Sequence, residues 1–129
     1  MALEVVHSLV AKVPYLEPQG YFTDAFQALN FLHREPVELL LVDINMPNIS
    51  GLKLVSSLPT KLLVIFTIGY AEHAVKGVEL DAVDYLLKPF SLARFVKACN
   101  KARKLLQLRN QAPPTPAAPA YFFLKSGYE

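Results

Sequence analysis

Three polar side chains stand at the ends of apolar runs: Asp43 closes Val37–Asp43 (VELLLVD), Thr67 sits near the end of Lys61–Ile68 (KLLVIFTI), and Lys88 follows Ala82–Leu87 (AVDYLL). An uninterrupted apolar run such as Leu39–Val42 is the pattern of a strand buried on both faces of a parallel sheet. In open parallel α/β sheets, ligands bind beyond the carboxyl ends of the strands. An acid, a hydroxyl and an ammonium would therefore converge on one edge. A carboxylate beside an ammonium stays ionised and can act as a nucleophile. The ammonium can neutralise an incoming phosphoryl oxygen. The plain alternative for Asp43 is a cap on the turn that follows it. Pro89 fixes the backbone after Lys88, and a bond before proline is the kind that adopts the cis form.

The elements that must position these groups follow from periodicity and breakers. Leu3, Val6, Leu9, Val10 and Val13 repeat at helical spacing over Ala2–Val13, and Pro14 stops that helix. Leu16–Phe22 reads as a short strand, confined by Pro18 to a sheet edge or a bulge. Thr23 or Asp24 caps a helix with Phe26, Leu29 and Leu32 on one face. After the strand Val37–Asp43 come a Pro- and Gly-punctuated loop and a short helix, Gly51–Leu58. The strand Lys61–Ile68 is broken by Gly69, and Tyr70–Leu80 reads as a helix. The strand Ala82–Leu87 leads to the last helix, Ser91 to Arg109, whose expected stripe is Leu92, Phe95, Val96, Cys99, Ala102 and Leu106. Its Arg94, Lys97, Lys101, Arg103 and Lys104 read as a solvated face. Asn110–Ala120 has no periodicity and should be extended and semi-rigid. Tyr121–Lys125 (YFFLK) is strand-like. Strands alternating with helices imply right-handed βαβ units and a doubly wound α/β fold.

The totals exclude several classes. The 129 residues suffice for one domain with a core, and 53% of them are hydrophobic. A net charge of +2 does not argue for nucleic acid by itself. The single cysteine, Cys99, rules out an internal disulfide and a multi-cysteine zinc site, which fits a cytoplasmic setting. No apolar run reaches membrane-span length, and no signal peptide is legible at the start. His7, His33 and His73 lack ligand spacing, and Phe22, Phe26, Phe31 and Phe66 read as core. Asp81 and Asp84 flank the strand Ala82–Leu87 and read either as solvated or as partners in ion pairs between subunits. No Gly-rich phosphate loop follows any strand, which argues against a nucleotide-binding enzyme.

The pattern D-x-x-M-P-x-x-x-G (Asp43, Met46, Pro47, Gly51) with the later DYLLKPF (Asp84–Phe90) resembles the receiver domain of two-component response regulators. The stretch FTIGYAEHAVKGVELDAVDYLLKPF, a linker and YFFLKSGYE resemble the LytR/AlgR (LytTR) type in particular. The resemblance implies a flavodoxin-like receiver fold over 1–109, a Pro-rich linker over 110–120, and over 121–129 the start of a LytTR-type DNA-binding domain. It implies a phosphoacceptor signalling domain rather than an enzyme. Asp43 would take a phosphoryl group from a sensor histidine kinase, and Lys88 would contact the phosphoryl oxygens. Mg2+ would be held by Asp43, the backbone carbonyl of Asn45 and an acidic pair after the family's first strand. Tyr85 takes the aromatic switch position. The resemblance also implies a homodimer and transcription regulation through the DNA-binding part. Ile68 stands at the hydroxyl switch position, and Thr67 is the neighbouring hydroxyl, on the other face of a regular strand. These departures keep open a pseudo-receiver, an interaction module that works without phosphorylation.

The family's sheet begins with a strand that has no counterpart before Ala2. A sheet without its middle strand leaves two neighbours with unpaired backbone. Three arrangements would repair it: a longer chain, with a strand ahead of Met1, which is the expectation; a strand from another chain; or Tyr121–Lys125, in cis or by exchange between protomers.

Overall fold

The computed structural model describes residues 3–44, 51–58, 62–69, 82–109 and 120–124. The elements are α1 (Leu3–Ala11), β1 (Glu17–Phe22), α2 (Ala25–Arg34), β2 (Leu39–Asp43), α3 (Gly51–Ser56), β3 (Leu63–Ile68), β4 (Asp84–Leu87), α4 (Leu92–Arg109) and β5 (Ala120–Leu124). The strands form one parallel sheet in the order β1-β5-β2-β3-β4. The expected helix Tyr70–Leu80, the Met46–Ser50 loop and the linker 110–119 lie outside the described residues.

The central strands are apolar throughout because both of their faces are covered. Leu39 and Leu41 of β2, with Leu63 and Ile65 of β3, pack among Val6, Leu9 and Val10 of α1 and Phe95, Ala98, Cys99 and Ala102 of α4. The alternate residues Leu40, Val42, Val64 and Phe66 pack with Ala25 and Ala28 of α2 and Leu54 of α3 on the other face. Successive strand residues point to opposite faces, so two helical layers require unbroken apolar runs.

The fifth strand takes the middle place. β5 pairs with β1 on one side (Glu17↔Ala120, Phe22↔Leu124) and with β2 on the other (Leu39↔Tyr121, Val42↔Leu124). The tail of this same chain thus fills the gap beside β2 in cis. Receiver-like sheets run 2-1-3-4-5, and here β5 occupies the slot of strand 1 in that order. β1 stands at the edge and its register slips between Pro18 and Tyr21, as expected for a strand whose proline cannot donate to a ladder. Lys12, Val13 and Leu16 close tight backbone turns between α1 and β1.

Two expected core positions are corrected. Phe26 is 56% exposed, because α2 turns Ala25 and Ala28 to the sheet and their small side chains let the helix approach closely. Leu92 is 37% exposed at the first turn of α4, before the helix reaches the core with Phe95. Asp24, not Thr23, caps α2: its carboxylate accepts the Phe26 N–H at 2.8 Å.

Candidate phosphoryl-accepting edge of the sheet

β2, β3 and β4 deliver their last residues to the same edge. Asp43 is the last residue of β2 and is 1% exposed. The ladder from Leu39↔Leu63 to Asp43↔Thr67 has no shift, so Thr67 lies level with Asp43 on the neighbouring strand. β4 ends at Leu87, and the Lys88 N–H donates to the Ile68 carbonyl at 2.8 Å. The Lys88–Pro89 peptide bond is cis. Lys88 Nζ donates to Asp43 Oδ2 at 2.7 Å, an ion pair between side chains 15% and 1% exposed. Charge-assisted bonds of this length are strong, and a buried carboxylate requires such a partner.

Thr67 sits in an unusual way. It is 2% exposed, and its hydroxyl has no hydrogen-bond partner among the described residues. A buried hydroxyl without a partner costs about 1–3 kcal/mol, so a structure that tolerates one invites a functional reading. By alternation, Thr67 continues the series Leu63, Ile65, which shares a face with Leu39, Leu41 and Asp43. Ile68 continues the opposite series and is 5% exposed. The regular ladder therefore puts the hydroxyl of Thr67, and not the side chain of Ile68, on the face that Asp43 shares.

Tyr85 reaches the site's flank. Its ring stacks on Phe66 at 5.7 Å between centroids, half-buried in the layer under α2 and α3. Its neighbour Asp84 anchors a second charge cluster; the expectation is a solvated role or ion pairs between subunits, and the pairs it makes are within the chain. Arg94 grips it with two bonds of 2.8 Å, Lys101 reaches it at 3.2 Å, and the Tyr85 N–H donates to it at 2.8 Å. Burial alone would raise this carboxyl. The bonds from Arg94, Tyr85 and Lys101 outweigh that effect and lower it to about 2. Arg94 and Lys101 thus belong to an ion-pair cluster, and Arg103 lies 4.5 Å over the Tyr15 ring, so the basic positions of α4 are only partly a solvated face. The i, i+7 spacing of Arg94 and Lys101 is the signal that could have paired them, because it puts both on one helix face.

The described residues do not fit Mg2+. That ion needs several hard oxygen ligands in octahedral geometry. Asp43 is the carboxylate at this edge, and β5, in the slot where the resemblance puts the acid-bearing strand, reads AYFFL. Among the described residues, no group of three His, Cys, Asp or Glu could hold a metal, and Asn45 lies outside them. The described residues also contain no helix long and apolar enough to cross a membrane.

Comparison with known proteins adds the following. Residues 2–100 match the family described as "Response regulator receiver domain". The chain is 31% identical over 121 residues to the transcriptional regulatory protein YpdB of an Escherichia coli strain, covering 92% of this chain and 49% of that protein. It is 34% identical over 93 residues to the sensory transduction protein LytT of Oceanobacillus iheyensis, covering 68% of this chain and 38% of that one. The chain spans about half or less of the length of these curated relatives. The crystal structure of the response regulatory domain of MrkE from Klebsiella pneumoniae superposes with a TM-score of 0.66 at 30% identity, over 86% of this chain and 93% of that one.

Proposed function

Because the chain belongs to the response regulator receiver family, with relatives that are transcriptional regulators, we propose that it is a phosphoacceptor signalling module whose acceptor is Asp43. The observation that carries this reading is the 2.7 Å pair of Asp43 and Lys88 at the carboxyl edge of the sheet. A carboxylate oxygen of Asp43 attacks the phosphorus of a phosphohistidine on a sensor kinase. The P–N bond breaks, the imidazole nitrogen takes a proton from solvent, and an acyl phosphate forms on Asp43. Lys88 donates to Asp43 and then turns an N–H to a phosphoryl oxygen. Water later cleaves the acyl phosphate and returns the carboxylate. Thr67 supplies a buried hydroxyl level with Asp43 as a further donor. Tyr85, stacked on Phe66, is the ring whose packing would report the change.

On the same reading, residues 1–109 receive the signal, 110–120 link, and 121–129 lead into a LytTR-type DNA-binding domain in a longer protein that acts as a dimer in the cytoplasm. Mg2+ is the family's expectation, and the donor set described above does not meet it. No step here passes through the ion.

The test is a small phosphodonor such as acetyl phosphate, supplied with and without Mg2+ and read by intact mass. The expected result is one added phosphoryl group on the native chain and none on the Asp43→Asn variant. Equal labelling of both chains would remove Asp43 as the acceptor. A second reading, the phosphorylation-independent interaction module, draws on β5, which carries no acid, and on Ile68 at the switch position. It predicts no labelling under any of these conditions, with a chain that still binds its partners.

A further inference from the structure

The first turn of α4 folds back onto the strand that leads into it. Ser91 caps α4: its Oγ accepts the Arg94 N–H at 3.1 Å, and its carbonyl accepts the Phe95 N–H at 3.0 Å. That turn brings Arg94 to the start of β4, ten residues back in the chain. Nη1 and Nη2 of Arg94 take the two oxygens of Asp84, and Nη2 also donates to the Tyr85 carbonyl at 3.2 Å. Asp84 in turn accepts the Tyr85 N–H at 2.8 Å. Both backbone groups of Tyr85 are thus held by side chains. The Lys88 N–H donates to the Ile68 carbonyl of β3, and alternate residues of a strand turn their backbone groups to the same side, so Leu86 faces β3 and Tyr85 faces away from it. Among the described residues no strand lies beyond β4. Asp84 and Arg94 therefore do for this edge what a neighbouring strand would do.

We propose that Arg94 is a positioning residue for the phosphoryl transfer at Asp43: its grip on Asp84 and on the Tyr85 carbonyl closes the loop that carries Lys88 and holds that ammonium against the acceptor. The inference rests on the reading of Asp43 as the phosphoryl acceptor. Lys88 directly follows the short strand β4 and lies inside the loop whose ends, Asp84 and Arg94, the fork joins. Joining the ends of a loop restricts every residue between them. The Phe90 and Phe95 rings, stacked 6.2 Å apart, anchor the returning arm of the same loop in the core. Lys88 Nζ meets Asp43 Oδ2 at 2.7 Å. A misplacement of about 1 Å at such a contact can cost about 100-fold in rate. An arginine suits the task, because its planar fork spans a carboxylate and a carbonyl at once, whereas a lysine ammonium is a point charge. Lys101 joins the cluster from its open side, at 3.2 Å from Asp84 Oδ2 and 48% exposed.

The test compares the full chain with its Arg94→Met, Arg94→Lys and Lys101→Met variants by two readouts. One is the initial rate of labelling by acetyl phosphate, which passes its phosphoryl group to Asp43 and leaves as acetate, followed by intact mass. The other is hydrogen exchange at the Lys88 amide, bonded to Ile68, and at the Ile44 amide, bonded to Thr67. Arg94→Met is expected to slow labelling about tenfold and to speed exchange of the Lys88 amide about tenfold, with the Ile44 amide changed less than about twofold. Arg94→Lys keeps the charge and should not restore either value, because one ammonium does not span Asp84 and the Tyr85 carbonyl together. Lys101→Met removes the same charge from the cluster and should stay within about twofold of the native chain in both. Native labelling in Arg94→Met overturns the proposal. So does equal loss of protection at Lys88 and Ile44, which would make Arg94 a support of the whole fold. Labelling that persists in Asp43→Asn removes the acceptor reading instead, and a Lys88 amide unchanged by Arg94→Met removes the clamp whatever the labelling shows.

Discussion

The two halves of the sheet are built differently. β2, β3 and β4 run side by side without a shift in register, and they are the strands that carry Asp43, Thr67 and Lys88 to one edge. β1 and β5 meet with a slip between Pro18 and Tyr21. In the first half β2 and β3 are apolar runs covered on both faces, so any one-residue slip between them would turn buried side chains onto the wrong layer. The second half holds an edge strand that reads EPQGYF, whose Glu17, Pro18 and Gln19 are exposed. Asp43 and Lys88 sit on the half whose register does not shift, where a carboxylate and an ammonium are held at 2.7 Å.

The sharpest way to break this comparison is to remove residues 120–129. β1 then loses its strand partner among the described residues, and whichever of the adjacent Tyr21 and Phe22 amides faces β5 should lose protection from hydrogen exchange at least about 100-fold, equivalent to about 3 kcal/mol. Those of Val42 and Ile44, whose N–H groups face β3, should lose less. Equal losses across the sheet would mean that the halves unfold as one unit. Next in size is Lys88→Met. It leaves Asp43, 1% exposed, without the ammonium that offsets its burial, and should cost about 3–5 kcal/mol in urea unfolding. The double change Asp43→Asn with Lys88→Met should recover part of that loss, because the buried charge is gone.

Smaller still is Asp84→Asn at the β4–α4 contact, which should cost about 1–2 kcal/mol at neutral pH, discounted because Arg94 and Lys101 are partly open to solvent. The pH dependence has a defined sign. The carboxyl is lowered from 3.8 to about 2, so its stabilising contribution is complete above about pH 4 and is lost as pH falls through about 2. The difference in unfolding free energy between the native chain and the Asp84→Asn variant should shrink over that window. A constant difference would place the effect in packing and not in charge.

Much of the site half was legible in the sequence, and little of the other half was. Asp43 closes a run that reads LLLV, Lys88 follows a strand and precedes a proline, and each is placed by its own neighbours. Phe95, Cys99, Ala102 and Leu106 announce the buried stripe of α4 by spacing alone. Phe26 misled, because hydrophobicity does not say which of two adjacent helix faces meets the sheet, and Ala25 and Ala28 took that role through close approach. Thr67 was legible as a hydroxyl near a strand end. Its alignment with Asp43 depended on the register of two strands that periodicity cannot set against one another.

The sequence by itself determined that apolar strands alternate with helices, that an acid and a lysine close two of those strands, and that the family is that of receivers. It did so because burial on two faces, helical spacing and strand-end residues are local patterns. Tertiary structure decided that YFFL enters the sheet between β1 and β2, that Arg94 and Lys101 close on Asp84, and that Thr67 lies buried level with Asp43. These are pairings between distant segments. Backbone ladders are generic in their hydrogen bonds, so which strand fills a slot is settled by what the rest of the fold leaves open.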